Sequence, residues 1–301
     1  MADDAFVRNV QTHWGDEGTR WLETLPSRAG AVAARWGLTV GAPFPLTFNW
    51  VAPATRGSEP VVLKLGVPSA PHLRAEAAAL TAFDGAGAAR LLARDEEQGA
   101  LLLERVTPGS TLRTLHQHDD EAATAAFVDV ARRLHRRPAP DGGPGACALE
   151  PVEAHADDFA AHLKRHPGDD LVQRAQGLHR ELCASTTGRV VLHGDLHHDN
   201  ILAGTRAPWL AIDPHGRVGD PAAEVGALLY NPDPWVRDET LTRLVPARIA
   251  QVADGLALPP DRVLAWGFVL CVLSWVWHVE DGGDYHGREL DVAHLLRPRL
   301  S

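Results

Sequence analysis

The side chains best suited to chemistry are concentrated between residues 193 and 213. His193-Gly-Asp-Leu-His-His-Asp-Asn200 follows a short apolar run, Val190-Val-Leu192, and Asp213 closes the next one, Trp209-Leu-Ala-Ile-Asp213. Transfer of a phosphoryl group asks for three things: a carboxylate that orients the acceptor hydroxyl, oxygen ligands for a divalent cation, and a cation held against the phosphates that stay behind. Asp195 and Asn200, with four residues between them, have the spacing that supplies the carboxylate and one metal ligand. Asp213, at the end of the next strand, supplies the other ligand. Mg2+ takes oxygen donors and few protein carboxylates when phosphates share it, so Asn200 and Asp213 suffice.

The remaining cation is sought among the lysines, because the chain has two of them, Lys64 and Lys164, in an otherwise arginine-rich composition. A lysine retained against that bias suits a role needing a compact ammonium rather than a forked guanidinium. Lys164, in His-Leu-Lys-Arg-His, reads as a solvated helix face. Lys64 lies in Val61-Val-Leu-Lys-Leu-Gly66, a strand-like run, and is expected to reach the nucleotide's α and β phosphates, held by Glu76 of the following helix. The loop expected over those phosphates, Gly41-Ala-Pro-Phe-Pro-Leu-Thr-Phe-Asn-Trp50, has no glycine after Gly41. Its prolines remove amide donors, although backbone amides of a turn can still bind phosphate and Thr47 adds a hydroxyl.

Two rival readings come from the same residues. His193, Asp195, His197, His198 and Asp199 superficially resemble the dense His/Asp runs of zinc hydrolases, in which a metal-bound water is the nucleophile, but no second ligand cluster is visible elsewhere in the chain. The odd phosphate loop also admits a degenerate relative that binds nucleotide without turnover.

These side chains need elements to position them. A chain of 301 residues, 45% hydrophobic and 23% charged, is long enough for two domains. Its net charge of −10 argues against nucleic acid or an anionic membrane as the main partner. Three scattered cysteines and an acidic, unapolar amino terminus point to a reducing, cytoplasmic setting. The apolar stretch Val263–Val279, interrupted by Gly267, Ser274 and His278, reads as a buried core helix. A helical lead is expected up to Trp36, then strands at 48–52 and 61–65 joined through a turn-rich Pro53–Pro60, a helix opened by Pro71, and strands at 90–93 and 100–106. Beyond Thr107-Pro-Gly-Ser110 the pattern becomes mainly helical, with Asp119 and Asp120 as helix-capping candidates.

The motifs His193-Gly-Asp-Leu-His-His-Asp-Asn200, Ala211-Ile-Asp-Pro-His-Gly216 and Gly219-Asp-Pro-Ala-Ala-Glu-Val-Gly226 resemble the aminoglycoside phosphotransferase family. Val62-Leu-Lys-Leu65, Arg74-Ala-Glu-Ala-Ala-Ala-Leu80, Gly99-Ala-Leu-Leu-Leu-Glu-Arg105 and Leu273-Ser-Trp-Val-Trp-His-Val-Glu-Asp-Gly282 are similar to its streptomycin 6-kinase and hydroxyurea phosphotransferase branch. The likeness runs over roughly residues 35–285. It implies an α+β, two-lobed protein-kinase-like fold: a small antiparallel-sheet lobe over residues 1–106 that binds nucleotide, and a larger, mainly helical lobe over 107–301 that carries the catalytic loop, metal and acceptor sites. It further implies ATP and Mg2+ as cofactors, Asp195 as the catalytic residue, Asn200 and Asp213 as metal ligands, and a hinge from Glu104 to Val106 whose backbone binds adenine. The acceptor would be a small polar hydroxyl compound such as an aminoglycoside, aminocyclitol or amino sugar. Trp277, Glu280, Asp281 and Asp284 are the candidates for gripping it. The chain departs from the family pattern at the glycine-poor loop, at Pro214-His215-Gly216 after the metal aspartate, and at Glu224, where an aspartate is expected.

Overall fold

The protein is described as a computed structural model, which covers residues 4–136, 148–232, 239–283 and 286–300. Helix α1 (Asp4–Trp36) opens it and is bent at Gly15, where φ is 52°, a left-handed value that costs little without a Cβ. Five strands follow: β1 (Leu38–Val40), β2 (Trp50–Arg56), β3 (Glu59–Leu65), and then, after helix α2 (Pro71–Phe83), β4 (Leu91–Asp95) and β5 (Ala100–Glu104). They form one antiparallel sheet in the order β1-β2-β3-β5-β4.

Strand periodicity places the buried ammonium of Lys64. Phe6, Val10, Trp21, Leu25 and Val32 of α1 pack with Leu63 and Leu65 on one face of the sheet. Lys64, between those leucines, points to the opposite face, where Leu73 and Ala77 of α2 cover Leu101.

The expected turn at Pro53–Pro60 is a correction. Pro53 is inside β2 and Pro60 inside β3, and the tight turn is at Gly57 and Ser58. Pro53 is tolerated because its carbonyl faces the β1 side, accepting from Gly41 N–H at 2.8 Å. Its nitrogen faces the same way, and β1 ends opposite Ala54. The missing N–H therefore breaks no ladder bond to β3.

The second lobe begins with β6 (Pro108–Thr111), α3 (Arg113–His116) and α4 (Asp120–Leu134), followed by β7 (Glu150–Pro151), α5 (His155–Arg165) and α6 (Asp170–Ala184). Strands β8 (Val190–Leu192), β9 (Ile201–Gly204), β10 (Trp209–Ala211) and β11 (Arg217–Gly219) then precede helices α7 (Gly226–Tyr230), α8 (Glu239–Leu256), α9 (Pro260–Glu280) and α10 (Arg288–Leu296). Two small sheets, β10-β9-β6 and β7-β11-β8, hold the polar loops between them. Asp119 caps α4, accepting from Ala122 N–H at 2.9 Å. Helix α9 is apolar nearly all round, with Val263, Trp266, Phe268, Val272, Trp275 and Val276 in the core of this lobe. The second half of α2, Ala78 to Phe83, joins that same core and ties the two lobes of this α+β, kinase-like fold together.

Candidate active site

The β9–β10 hairpin puts two of the oxygen-bearing side chains side by side. Asn200 directly precedes β9 and Asp213 follows β10, and Ile212 N–H donates to Asn200 O at 2.9 Å. Asp213 adopts φ 59°, an uncommon value for a residue with a Cβ. Its carboxylate meets Lys64 Nζ across the cleft between the lobes. Lys64 is 3% exposed, and its Nζ also lies 2.6 Å from Glu76 Oε2. These two contacts use two of the ammonium's three donors.

Charge follows from this geometry. Burial opposes an ammonium at Lys64, but Asp213 and Glu76 outweigh it and hold the pKa above the ordinary lysine value. The same ammonium draws Asp213 down to about 2. At Glu76 burial pushes the carboxyl up, opposed by Lys64.

The loop between β8 and β9 is fastened from beneath. Glu224, 2% exposed, accepts His193 N–H at 2.9 Å and Gly194 N–H at 3.0 Å, and its Oε2 lies 3.1 Å from His135 Nε2. His193 orders the loop: Nδ1 accepts Asp195 N–H at 3.3 Å, which leaves Nε2–H to donate to Ile212 O at 2.9 Å. On the far side Arg113 forks onto Asp199 at 2.6 and 2.8 Å. Asn200 Nδ2 donates to Asp195 O at 2.9 Å and to its Oδ2 at 3.2 Å. The Asn200 amide oxygen is thereby turned away from Asp195. That oxygen and the Asp213 carboxylate form a hard, all-oxygen donor set of the kind that fits Mg2+. Burial would raise the Asp195 carboxyl, but His197, 3.5 Å away, and His215, 3.7 Å away, together with His193, hold it below the usual range.

The three histidines of this segment point three different ways, so they offer no common zinc site: His193 to Ile212, His197 to Asp195, and His198 into the interior beside His116. His116, Asp120 and His198 do converge. The charge in that cluster is already balanced, because buried Arg248 donates to Asp120 at 2.6 Å and contacts His116 Nδ1 at 3.3 Å.

The other sequence-designated residues fall as follows. Thr47 is exposed in the β1–β2 connection. The Glu104 carboxylate is taken up by Arg206, at 2.9 Å from both oxygens, and by Arg90 N–H at 3.0 Å. Val106, two residues further on, is buried with Ala89 and Leu210. Trp277 lines two cavities that share it with Tyr230: one of about 50 Å³ bordered by Gly194, His215 and Glu224, and one of about 490 Å³ bordered by Ser274, His278 and Glu289. Glu280 is turned away from both, pairing with Arg165 and lying 3.9 Å from His162 Nδ1. Asp281 is an exposed cap of α9, and Asp284 lies outside the described residues.

The acidic group that does line the larger cavity is Glu289, in the first turn of α10 and 9% exposed. Its Oε1 is 3.8 Å from His278 Nδ1. Tyr230 links this cavity to the loop between β8 and β9: burial raises its phenol, and the charge of Asp195 raises it further. Sequence reading did not single out either residue. Tyrosine is as scarce as lysine here, with two in the chain, and the argument made for Lys64 applies equally to Tyr230.

Comparison with known proteins places this geometry in context. Residues 49–282 match the family described as aminoglycoside/hydroxyurea antibiotic resistance kinase. The chain is 35% identical over 306 residues to a hydroxyurea phosphotransferase of Kitasatospora aureofaciens, covering 98% of this chain and 86% of that one. It is 32% identical over 289 residues to a streptomycin 6-kinase of Streptomyces griseus, covering 93% and 91%. Among solved structures, an amicoumacin kinase in complex with AMP-PNP, Ca2+ and Ami shares the fold, with a TM-score of 0.61 at 14% identity over 91% of this chain and 94% of that one.

Proposed function

Since this chain belongs to the aminoglycoside/hydroxyurea antibiotic resistance kinase family, we propose that it transfers the γ-phosphoryl group of ATP to a hydroxyl of a small, cationic, polar acceptor such as an aminocyclitol or amino sugar. The observation that carries this reading is the meeting of Lys64 and Asp213 across the cleft, beside a loop that presents Asp195 and Asn200. The relatives' names support phosphotransfer to small molecules, and the nucleotide in the kinase of similar fold supports ATP.

Each residue then has a distinct task. Lys64, steadied by Glu76, directs its third N–H at the α and β phosphates. Asn200 and Asp213 would hold Mg2+, which when bound screens the phosphate charge. Asp195 is ionised at neutral pH because its neighbours depress its pKa, which makes it a good acceptor of a hydrogen bond and a weak base. Its role is therefore to aim the acceptor hydroxyl, with proton transfer late, as a loose phosphoryl-transfer transition state permits. The hinge from Glu104 to Val106 offers adenine its backbone, since the Glu104 side chain is occupied by Arg206. Thr47 lies in the loop over the phosphates. The acceptor occupies the cavity between Tyr230, Trp277 and Glu289, where a carboxylate beside an aromatic face suits an ammonium or guanidinium. Asp281, exposed at the end of α9, adds negative charge outside it.

The test is ADP release over a panel of hydroxyl compounds with and without cationic groups, run with Mg2+ and with chelator. The expected outcome is chelator-sensitive release that favours the cationic members. Nucleotide binding without release from any acceptor would favour a non-catalytic relative instead.

A further inference from the structure

The glycine-poor loop of residues 41–49 has to bind phosphate in some way other than the usual one. Glycines let a loop approach phosphate closely because they lack side chains; this loop has two prolines, Pro43 and Pro45, which donate nothing. It is instead anchored from outside. Asn9 Nδ2 of α1 donates to Thr47 O at 3.2 Å. The Phe48 ring lies 5.4 Å from His13 and 6.2 Å from Trp14, edge-on to the latter. Trp14 also meets His72 of α2 at 5.7 Å, and His72 Nε2 lies 3.1 Å from Asn49 Oδ1. Burial and the nearby Lys64 lower the His72 pKa to about 4, so the ring is neutral and serves as a fixed donor to Asn49.

The bend at Thr47–Asn49 is thus gripped at a carbonyl, a ring and an amide oxygen. Its own N–H groups donate to no acceptor among the described residues. The bend of α1 at Gly15 falls immediately after Trp14, so the segment that touches the loop is set at its own angle to the rest of the helix. Residues 4–48 also precede the stretch that matches the family.

We propose that residues 4–14 of α1 form part of the nucleotide site: Asn9, His13 and Trp14 act as positioning residues that hold the N–H groups of Thr47, Phe48 and Asn49 ready for a nucleotide polyphosphate. This rests on the ATP-dependent reading above. A loop fixed in advance loses less freedom when ligand binds, which raises affinity without a new contact.

The test compares wild type, Asn9→Ala/His13→Ala, Asn9→Ala/His13→Phe and Lys64→Ala by calorimetric titration with a non-hydrolysable ATP analogue and Mg2+, which needs no acceptor. The Asn9→Ala/His13→Ala variant is expected to raise Kd about tenfold, the size of one hydrogen bond plus one ring contact. KM for ATP should follow while KM for the acceptor stays near wild type. His13→Phe in the same background should recover the ring's share, bringing Kd back to about threefold above wild type while the Asn9 donor is still missing. If the double variant melts well below wild type, Asn9→Leu alone carries the test, since it keeps the side-chain bulk and removes the donor. Nucleotide affinity within twofold of wild type in the α1 variants, with Lys64→Ala weakened, overturns this proposal alone. A wild-type protein that binds no adenine nucleotide overturns the ATP-dependent reading and this proposal with it.

Discussion

Asp195 illustrates how much of the chemistry is set by immediate neighbours. Three histidines surround its carboxylate and Asn200 donates to it, so its charge is held steady and its direction fixed. Asp195→Ala is expected to lower kcat by about 10²-fold or more while nucleotide Kd changes little, because positioning of the hydroxyl is lost and the phosphate contacts are kept. Steady-state kinetics beside a nucleotide titration would check this, and full activity would refute the role. Glu289→Gln removes charge from the larger cavity at nearly constant shape. It is expected to raise KM for a cationic acceptor about tenfold and leave a neutral one unaffected, since a charge-assisted hydrogen bond contributes about 1.5–3 kcal/mol. At this scale the coming together of Lys64, Asp195, Asn200 and Asp213 was legible, because their types and spacing are distinctive. Glu289 was not, because a carboxylate in a helix's first turn ordinarily answers to the helix dipole. Glu280 looked the more informative of the two in sequence, yet its partner Arg165 is remote in the chain and takes it elsewhere.

Among the elements, the site rests on a few buried polar ties that no local pattern announces. Arg248 of α8 is 1% exposed. It donates to Asp120 at the start of α4 and to the carbonyls of Leu228 and Asn231, at 2.6 and 2.7 Å, at the end of α7. One guanidinium thus fixes three helices beneath the loop that carries Asp195. Arg248→Met should destabilise the fold by about 3–5 kcal/mol, because the Asp120 carboxylate and two carbonyls lose their partner inside the lobe. Urea denaturation would check this, and a loss below about 1 kcal/mol would contradict it. The sequence made the elements themselves readable: Pro71 opening α2, Asp119 capping α4, and the all-round apolar α9. Strand ends were harder. Pro53 and Pro60 read as turn residues, and whether a strand tolerates a proline depends on what pairs on its nitrogen's side, a tertiary fact.

At the scale of the whole molecule, the buried histidines couple the fold to pH. Burial lowers His72 to about 4 and His198 to about 2, and also depresses His193. Below about pH 6.5, the ordinary imidazole value, the unfolded chain binds protons that the folded chain does not, so stability falls as pH falls. The depressed Asp195, Asp213 and Glu224 carboxylates act in the same direction at lower pH: their contribution is present above the unfolded carboxylate range and is lost as pH falls through their folded values. Glu76, raised to about 7, works in the opposite direction between pH 7 and pH 5, but it is one group against three imidazoles. The melting temperature is therefore expected to drop from pH 7 to pH 5 and more steeply below pH 4. A flat or rising profile over the first interval would contradict these assignments. The two-lobed plan was visible in sequence as a change from alternating to helical periodicity near residue 107, but the bridge between the lobes, α2 buried partly in each core, was not, because both its faces are alanine-rich and alike. What unites the scales is the event we propose, the passage of a phosphoryl group from a nucleotide seated against Lys64 and Asp213 to a hydroxyl aimed by Asp195. Phosphorus NMR and mass analysis of the products formed from ATP, Mg2+ and a cationic aminocyclitol, with wild type and Asp195→Ala in parallel, test it most directly. The expected result is a phosphate monoester on the acceptor and stoichiometric ADP with wild type, and neither at a comparable rate with the variant. ADP and free inorganic phosphate with the acceptor unmodified, or equal ester formation by both proteins, would contradict it.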